Sequence, residues 1–347
     1  MVTISIVIPC RNEAAFIERC VASILRQRVG EHSIEVILSD GMSDDGTRDI
    51  LDRLAAEDSR VHVVDNPRRI VSTGLNAAIQ AASGQIILRM DAHTEYAPDY
   101  VLQCLRTLEK TGADNVGGPW VAKGEGYLSR AIAAAFQSPF AVGGARSHDP
   151  EYEGEVDSVY LGCWRREIFD RIGFFDEELV RNQDDEFNLR LVRSGGRIWQ
   201  SPEIRSWYQS RTSLRDLFRQ YLQYGYWKVR VIQKHRLPAS IRHLAPAGFI
   251  TALVVLAAAS SLGTIPAYAL VIIVAAYVFG VAAASVIAAA HHDLSVLPVL
   301  PLVFGCYHFG YGLGFLRGML DFLVLRRVSP FASDLTRTRQ PSSENPK

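Results

Sequence analysis

Between residues 3 and 118, short β-branched runs alternate with longer stretches whose apolar residues recur at helical spacing. Thr3–Ile8, Ile34–Leu38, Val61–Val64 and Gln85–Met90 read as strands, and residues near 13–27, 47–57, 72–82 and 98–110 read as helices. Such alternation is the pattern of βαβ units on a parallel sheet, and open sheets of this kind bind ligands beyond the carboxyl ends of their strands. Three polar clusters fall at those ends: Pro9-Cys10-Arg11-Asn12-Glu13, Ser39-Asp40-Gly41 and Asp91-Ala92-His93. Residues distant in sequence should therefore converge on one crevice.

The pattern loosens over residues 119–204, where Gly143-Gly144 marks a turn and an acidic loop runs from Asp149 to Asp157. A helical segment follows from Asp184, with Phe187 and Leu191 on one face and Glu186 four residues before Arg190, a pairing distance. This half is expected to complete the sheet and build an acceptor-side wall.

From Arg205 to Arg242 the chain carries nine Lys/Arg against one acid, Asp216. Leu214, Leu217, Phe218, Tyr221 and Leu222 recur at helical spacing, and Tyr224, Tyr226 and Trp227 follow. The segment reads either as an ordinary amphipathic surface helix or as one lying in an anionic membrane interface. What comes next favours the second. Leu244–Gly263 and Ala267–Ala290 are each long enough to cross a hydrocarbon core of roughly 30 Å at about 1.5 Å per residue, and both read as transmembrane helices. A third apolar stretch, Leu294–Leu325, is interrupted by Pro298, Pro301, His308, Arg317 and several glycines, so it spans, breaks or re-enters. A third crossing would put Arg326-Arg327 outside, against the positive-inside tendency. The expected organisation is a catalytic domain over 1–204, a basic juxtamembrane segment over 205–243, a membrane region over 244–325 and a polar, disordered tail over 326–347.

Composition sharpens this division. The 347 residues hold 37 Lys+Arg and 37 Asp+Glu, a balance without the basic excess of a nucleic-acid binder. Yet from Leu244 to Leu316 one formally charged side chain, Asp293, occurs in 73 residues, which excludes an ordinary soluble chain. Five scattered cysteines form no C-x-x-C pair, so neither a disulfide framework nor a zinc site is suggested. The N-terminal apolar run is short, lacks a basic leader and ends in Pro9-Cys10-Arg11; it reads as a strand, and the N-terminal part is expected in the cytosol, beneath a plasma (inner) membrane crossed more than once.

Five residues are candidates for the site. Asp40, at a strand's carboxyl end, is placed either to accept a nucleobase N–H or to close an Asx-turn, although Asp44 and Asp45 suit the turn better. Asp91 and His93, one residue apart, can both face a divalent cation or its bound diphosphate, and the imidazole favours Mn²⁺ over Mg²⁺. Asp184 opens a helix, where it either compensates the helix dipole or, ionised, serves as a base. Trp164 reads as a core aromatic or as an acceptor-side wall.

Taken together, Ser5-Ile6-Val7-Ile8-Pro9-Cys10-Arg11-Asn12-Glu13, Ser39-Asp40-Gly41-Met42-Ser43-Asp44-Asp45-Gly46-Thr47, Asp91-Ala92-His93-Thr94 and Asn182-Gln183-Asp184-Asp185-Glu186-Phe187 resemble the ordered motifs of the inverting family-2 glycosyltransferases with the GT-A fold. Asp91-Ala92-His93-Thr94-Glu95-Tyr96 and Arg219-Gln220-Tyr221-Leu222-Gln223-Tyr224-Gly225 are similar to the succinoglycan-biosynthesis, ExoA-type branch. The resemblance covers roughly residues 3–243. It implies an α/β, Rossmann-like domain followed by transmembrane helices. It also implies a nucleotide-diphosphate sugar bound by Pro9, Arg11, Glu13, Asp40 and Asp91, a metal on Asp91 and His93, Asp184 as catalytic base, and Arg219, Gln220 and Tyr221 on the acceptor side. A UDP-hexose donor and a lipid-linked saccharide acceptor are what the branch implies. Two positions depart from the family: His93 stands where an acid is common, and Gln183 stands where the base is usually preceded by Glu. The alternatives are a polyprenyl-phosphate glycosyltransferase and a scaffold that binds nucleotide-sugar without turnover; no Arg-Trp dipeptide of a processive synthase occurs.

Overall fold

The computed structural model describes residues 1–238 and 240–326. In chain order the elements are β1 (Thr3–Cys10), α1 (Ile17–Leu25), β2 (Ser33–Asp40), α2 (Thr47–Glu57), β3 (Val61–Asp65), α3 (Val71–Ala81), β4 (Ile86–Arg89), β5 (Thr94–Tyr96), α4 (Tyr100–Thr111), β6 (Asn115–Gly118), β7 (Val121–Lys123), α5 (Tyr127–Phe136), α6 (Pro139–Val142), β8 (Gly154–Glu155), β9 (Tyr160–Arg165), α7 (Glu167–Ile172), α8 (Gln183–Arg193), β10 (Ile198–Gln200), β11 (Ser206–Gln209), α9 (Leu214–His235), α10 (Ala245–Ala259), α11 (Thr264–His291) and α12 (Leu300–Gly318). A π-helical turn, Met319–Val324, continues α12.

The chain divides into two compact units: residues 1–121 with 146–209, and residues 122–145 with the chain from 210 onward. The first is built on an eight-stranded sheet of order β3-β2-β1-β4-β9-β6-β10-β8. β3, β2, β1 and β4 run parallel, and β9 returns antiparallel between β4 and β6. Strand alternation sorts side chains onto two faces. Ile4, Ile6, Ile8, Leu88 and Met90 join one core with residues of α1, α2 and α4, including Ile17, Leu51 and Val101. Val7 and Ile87 point the other way, into a second core with Leu75 of α3, Phe169 of α7 and Phe187 and Leu191 of α8. Glu186 and Arg190 form the pair their spacing suggests, at 2.9 Å.

The second unit gathers segments distant in sequence. Residues 122–145, assigned from sequence to the catalytic half, belong here: the Ala-rich α5 buries Ala131, Ile132, Ala134 and Ala135, Ile132 accepts a hydrogen bond from Tyr307 Oη of α12 at 3.2 Å, and Arg130 pairs with Asp293 at 2.7 Å. An interrupted, Ala-rich run is weakly patterned, so its partner was illegible. In the basic segment, α9 packs backbone-close against α12. Gly310, Gly314 and Gly318 repeat every four residues along α12, and an added methyl would meet the carbonyls of Phe218, Leu222 and Tyr226, themselves four apart on α9. Gly225 of α9 answers with the same closeness to Tyr311. Two helices, Ile241–Ala259 and Thr264–His291, are long and apolar enough to cross a membrane. The tail, expected to be disordered, lies outside the described residues.

Candidate active site

The register of the parallel strands sets the site. Cys10 pairs with Asp40 and Val7 with Arg89, so β1, β2 and β4 end at one edge of the sheet. Gly41 N–H donates to Cys10 O at 2.8 Å, and Met90 N–H to Val7 O at 3.1 Å, carrying the pairing into the loops. The first two loops are stitched together. Asn12, with φ of 57°, exchanges hydrogen bonds with Asp44 (Nδ2 to Oδ1 2.8 Å, Asp44 N to Oδ1 3.0 Å), and its own N–H donates to Ser43 Oγ at 2.9 Å. Glu13 N–H donates to Thr47 Oγ1 at 2.8 Å. Arg11 is laid across Gly41, where a Cβ would stand 3.0 Å from that of Arg11, so a side chain at 41 would press on Arg11. The Arg11 Nε is buried without a partner, a donor left for an anion.

Asp40 is 2% exposed and already in use: Oδ1 accepts from Ser43 N–H at 3.1 Å and from Ser43 Oγ at 2.6 Å, and Oδ2 lies 3.6 Å from Arg48 Nη1. It therefore closes the turn itself. Asp45 does the other part of that work, accepting from Thr47 N–H and Oγ1, which holds its carboxyl below the usual range despite some burial. Pro9 lies in β1 opposite Ser39.

Asp91 and His93 do not continue the strand. β4 stops at Arg89, and Asp91 to Thr94 form a turn closed by Thr94 N–H donating to Asp91 O at 3.3 Å. Side-chain alternation therefore does not set their directions. Asp91 is held by two residues that the sequence did not single out. Tyr96 Oη accepts from Asp91 N–H at 2.6 Å and donates to Asp91 O at 3.0 Å, while Arg89 grips the carboxylate with Nε to Oδ1 at 3.1 Å and Nη2 to Oδ2 at 3.2 Å. His93 is 39% exposed, with Nδ1 3.7 Å from Glu13 Oε1. The donor set tests the expected cation directly. Among the described residues no three metal-ligating side chains cluster, so a closed protein cage is absent. The carboxylate of Asp91 keeps a free lone-pair direction on each oxygen after serving Arg89, and with the imidazole of His93 it fits a cation whose remaining ligands are phosphate oxygens and water.

Asp184 lies in the first turn of α8, entered through Asn182 at φ of 60°. Because α8 packs on the same sheet face as Ile87, and Arg89 is two residues on, Asp184 is within electrostatic reach of Arg89. Burial raises the Asp184 carboxyl above its ordinary value, the Asp185 charge raises it further, and the Arg89 charge opposes both. A half-buried carboxyl pushed upward beside the buried Arg89 guanidinium is a candidate for proton transfer. Trp164 is corrected from acceptor wall to core: it is 2% exposed and edge-on to Phe169, Phe175 and Phe187. Arg219, Gln220 and Tyr221 belong to α9 in the second unit, where Gln220 accepts from Arg211 Nε at 3.2 Å and Tyr221 meets Tyr307 edge-on.

A sequence model described as "Glycosyl transferase family 2" matches residues 5–172, which hold the first three strand ends. The succinoglycan biosynthesis protein ExoA of Rhizobium meliloti (strain 1021) is 35% identical over 243 residues, 70% of this chain and 73% of the relative. The chain belongs to glycosyltransferase family 2. A relative from Methanococcus voltae, a dolichyl N-acetyl-alpha-D-glucosaminyl phosphate 3-beta-D-2,3-diacetamido-2,3-dideoxy-beta-D-glucuronosyltransferase, is 26% identical over 71% of this chain and 78% of its own. Among solved structures, a mannosyltransferase from Pyrobaculum calidifontis in complex with GDP-Man and Mn²⁺ superposes with a TM-score of 0.59 at 21% identity, covering 92% of this chain and 88% of that one. The family-2 chain is thus a glycosyltransferase with a GT-A-like α/β domain and two apolar helices C-terminal to it.

Proposed function

We propose that this glycosyltransferase is membrane-anchored, inverts the anomeric centre, and moves a hexose from a nucleoside-diphosphate sugar to a saccharide on a lipid carrier, in exopolysaccharide or related glycan assembly. The observation that carries the reading is the convergence of Arg11, Asp40 and Asp91 at three strand ends with Asp184 across Arg89 on the same sheet face. Resemblance to ExoA supports the polysaccharide setting, and the name of the Methanococcus voltae relative supports a lipid-linked acceptor. The two long apolar helices support the anchor.

In this reading Asp184, ionised, takes the proton of an acceptor hydroxyl as the oxygen attacks the anomeric carbon, and the bond to the nucleoside diphosphate breaks in line. One displacement inverts the centre. Arg11, through its unpaired Nε, faces the anionic donor, and Asp40 faces the base with the acceptor capacity left on its oxygens. Asp91 and His93 are the residues that would hold a divalent cation, Mn²⁺ ahead of Mg²⁺ because of the imidazole, whose chemistry is to offset charge on the departing diphosphate.

The test uses full-length chain in native-like membranes, offered labelled UDP-glucose, other UDP-hexoses and GDP-mannose, with and without a lipid-diphosphate saccharide acceptor. Transfer to that acceptor with inverted linkage is expected. Transfer to bare polyprenyl phosphate instead would replace the acceptor assignment, and no transfer with any donor would remove the reading.

A further inference from the structure

Within the run Ile86-Ile87-Leu88-Arg89-Met90, four residues are buried and apolar, and the fifth is a guanidinium whose side chain is only 9% exposed. Burying a cation is costly unless a partner meets it with good geometry. Here the partner is Asp91, itself 16% exposed, and the contact is two-pronged: Nε and Nη2, on one edge of the planar group, reach the two carboxylate oxygens at 3.1 and 3.2 Å. Two parallel N–H···O bonds fix the carboxylate plane as well as its position, and only arginine offers that fork. The backbone of Asp91 is fixed separately, by the double hydrogen bond with Tyr96 Oη.

We propose that Arg89 is a positioning residue for donor binding: its fork sets the plane of the Asp91 carboxylate, so that the lone pairs left over point to where the diphosphate and its cation bind. The proposal rests on the donor-binding reading of this site given above. It assigns Arg89 no contact with substrate. Outer-shell partners of this kind orient a ligand carboxylate, and their loss weakens binding through the residue they hold.

The experiment is a double-mutant cycle read by calorimetric binding of UDP and of GDP to full-length chain in detergent with MnCl₂, without turnover. Arg89→Lys keeps the charge and loses the fork; Arg89→Gln loses both and is the second variant should the first melt early, with melting curves recorded for each. Both are expected to bind the nucleotide that wild-type protein binds at least tenfold more weakly. Asp91→Asn should weaken it too, and adding either Arg89 change to Asp91→Asn should cost nothing more, because the residue Arg89 acts through is already disabled. Wild-type affinity in Arg89→Lys, or losses that multiply in the double variants, would overturn the positioning role while leaving the function intact. Wild-type protein that binds neither UDP nor GDP would overturn the donor reading, and this proposal with it.

Discussion

The strand-end crevice and the α9–α12 pair solve the same problem, bringing distant segments together, by opposite means. At the crevice the backbone elements are held by apolar side chains on both sheet faces, and the ends of the strands are left to polar groups that stitch one loop to the next. In the helix pair the backbones meet directly: Gly310, Gly314 and Gly318 let α12 rest on the carbonyls of α9, and at its end Tyr226 Oη donates to Asp321 Oδ2 at 3.2 Å, which Arg317 Nε meets at 3.0 Å. The first arrangement tolerates polar substitution at its edge and uses it for chemistry. The second leaves no room for a side chain at its three glycines, because its fit there is steric.

The sharpest break is chemical. Asp184→Asn removes the proposed base and keeps the shape, so transfer should fall about 10²–10⁴-fold while nucleotide affinity stays within twofold. Assays of labelled product and calorimetry on the same preparation check this, and wild-type turnover would sink the base assignment. Its steric counterpart is Gly314→Leu, whose side chain would overlap the Leu222 carbonyl; a loss of roughly 3 kcal/mol or more is expected, whereas Gly305→Ala, which meets nothing within 4 Å, should be near neutral. Thermal unfolding in one detergent compares the two, and equal melting points would refute the close packing.

A smaller effect separates catalysis from stability within Asp184 itself. Burial and Asp185 raise this carboxyl against the pull of Arg89, so the folded state favours its protonated form. The proposed base is lost as pH falls through that raised value, and the acid limb of kcat/KM should sit above the ordinary Asp value of about 3.9. Stability runs the other way: the ionised carboxylate is unfavourable above the raised value, and the penalty vanishes once pH is below the unfolded value. Asp184→Asn should therefore melt slightly higher than wild type at pH 7 and equally at pH 3, and a lower melting point at pH 7 contradicts the direction of the shift.

How much of this was legible in sequence follows from the same contrast. β-branched alternation announces β1 to β4, and the parallel register then places Arg11, Asp40 and Asp91 at one edge without further information. Arg89 and Tyr96 were not legible as site residues, because what matters is that β4 stops at Arg89 and the turn after it folds Asp91 back between them. The sequence offers Asp40 as a turn-closing residue, and the structure shows that it closes the turn through Ser43. In the second unit, glycines every four residues along α12 were visible, but read as interruptions of an apolar segment, since only the facing helix shows that they are contacts. Trp164 illustrates the converse: a large aromatic near a site is first of all core.

The mildest test lies at the far end of the same sheet, where polar groups stabilise and do no chemistry. Glu35, on β2, accepts from Ser5 Oγ at 2.6 Å, from Ser83 N–H at 2.6 Å and from Gly84 N–H at 3.1 Å, tying β1 and the turn before β4 to one carboxylate. Partial burial raises its carboxyl, but these hydrogen bonds outweigh that and hold it below the ordinary range. A lowered value contributes stability that is present above the unfolded pKa and is lost as pH falls toward the folded one. Glu35→Gln keeps the size and gives up the charge, so it should cost about 1 kcal/mol at pH 7, less as pH approaches 3, with transfer rate unchanged. Chemical unfolding at the two pH values measures it. A loss that grows on acidification, or a drop in transfer without a drop in stability, would mean that the two ends of the sheet are not divided between holding and reacting.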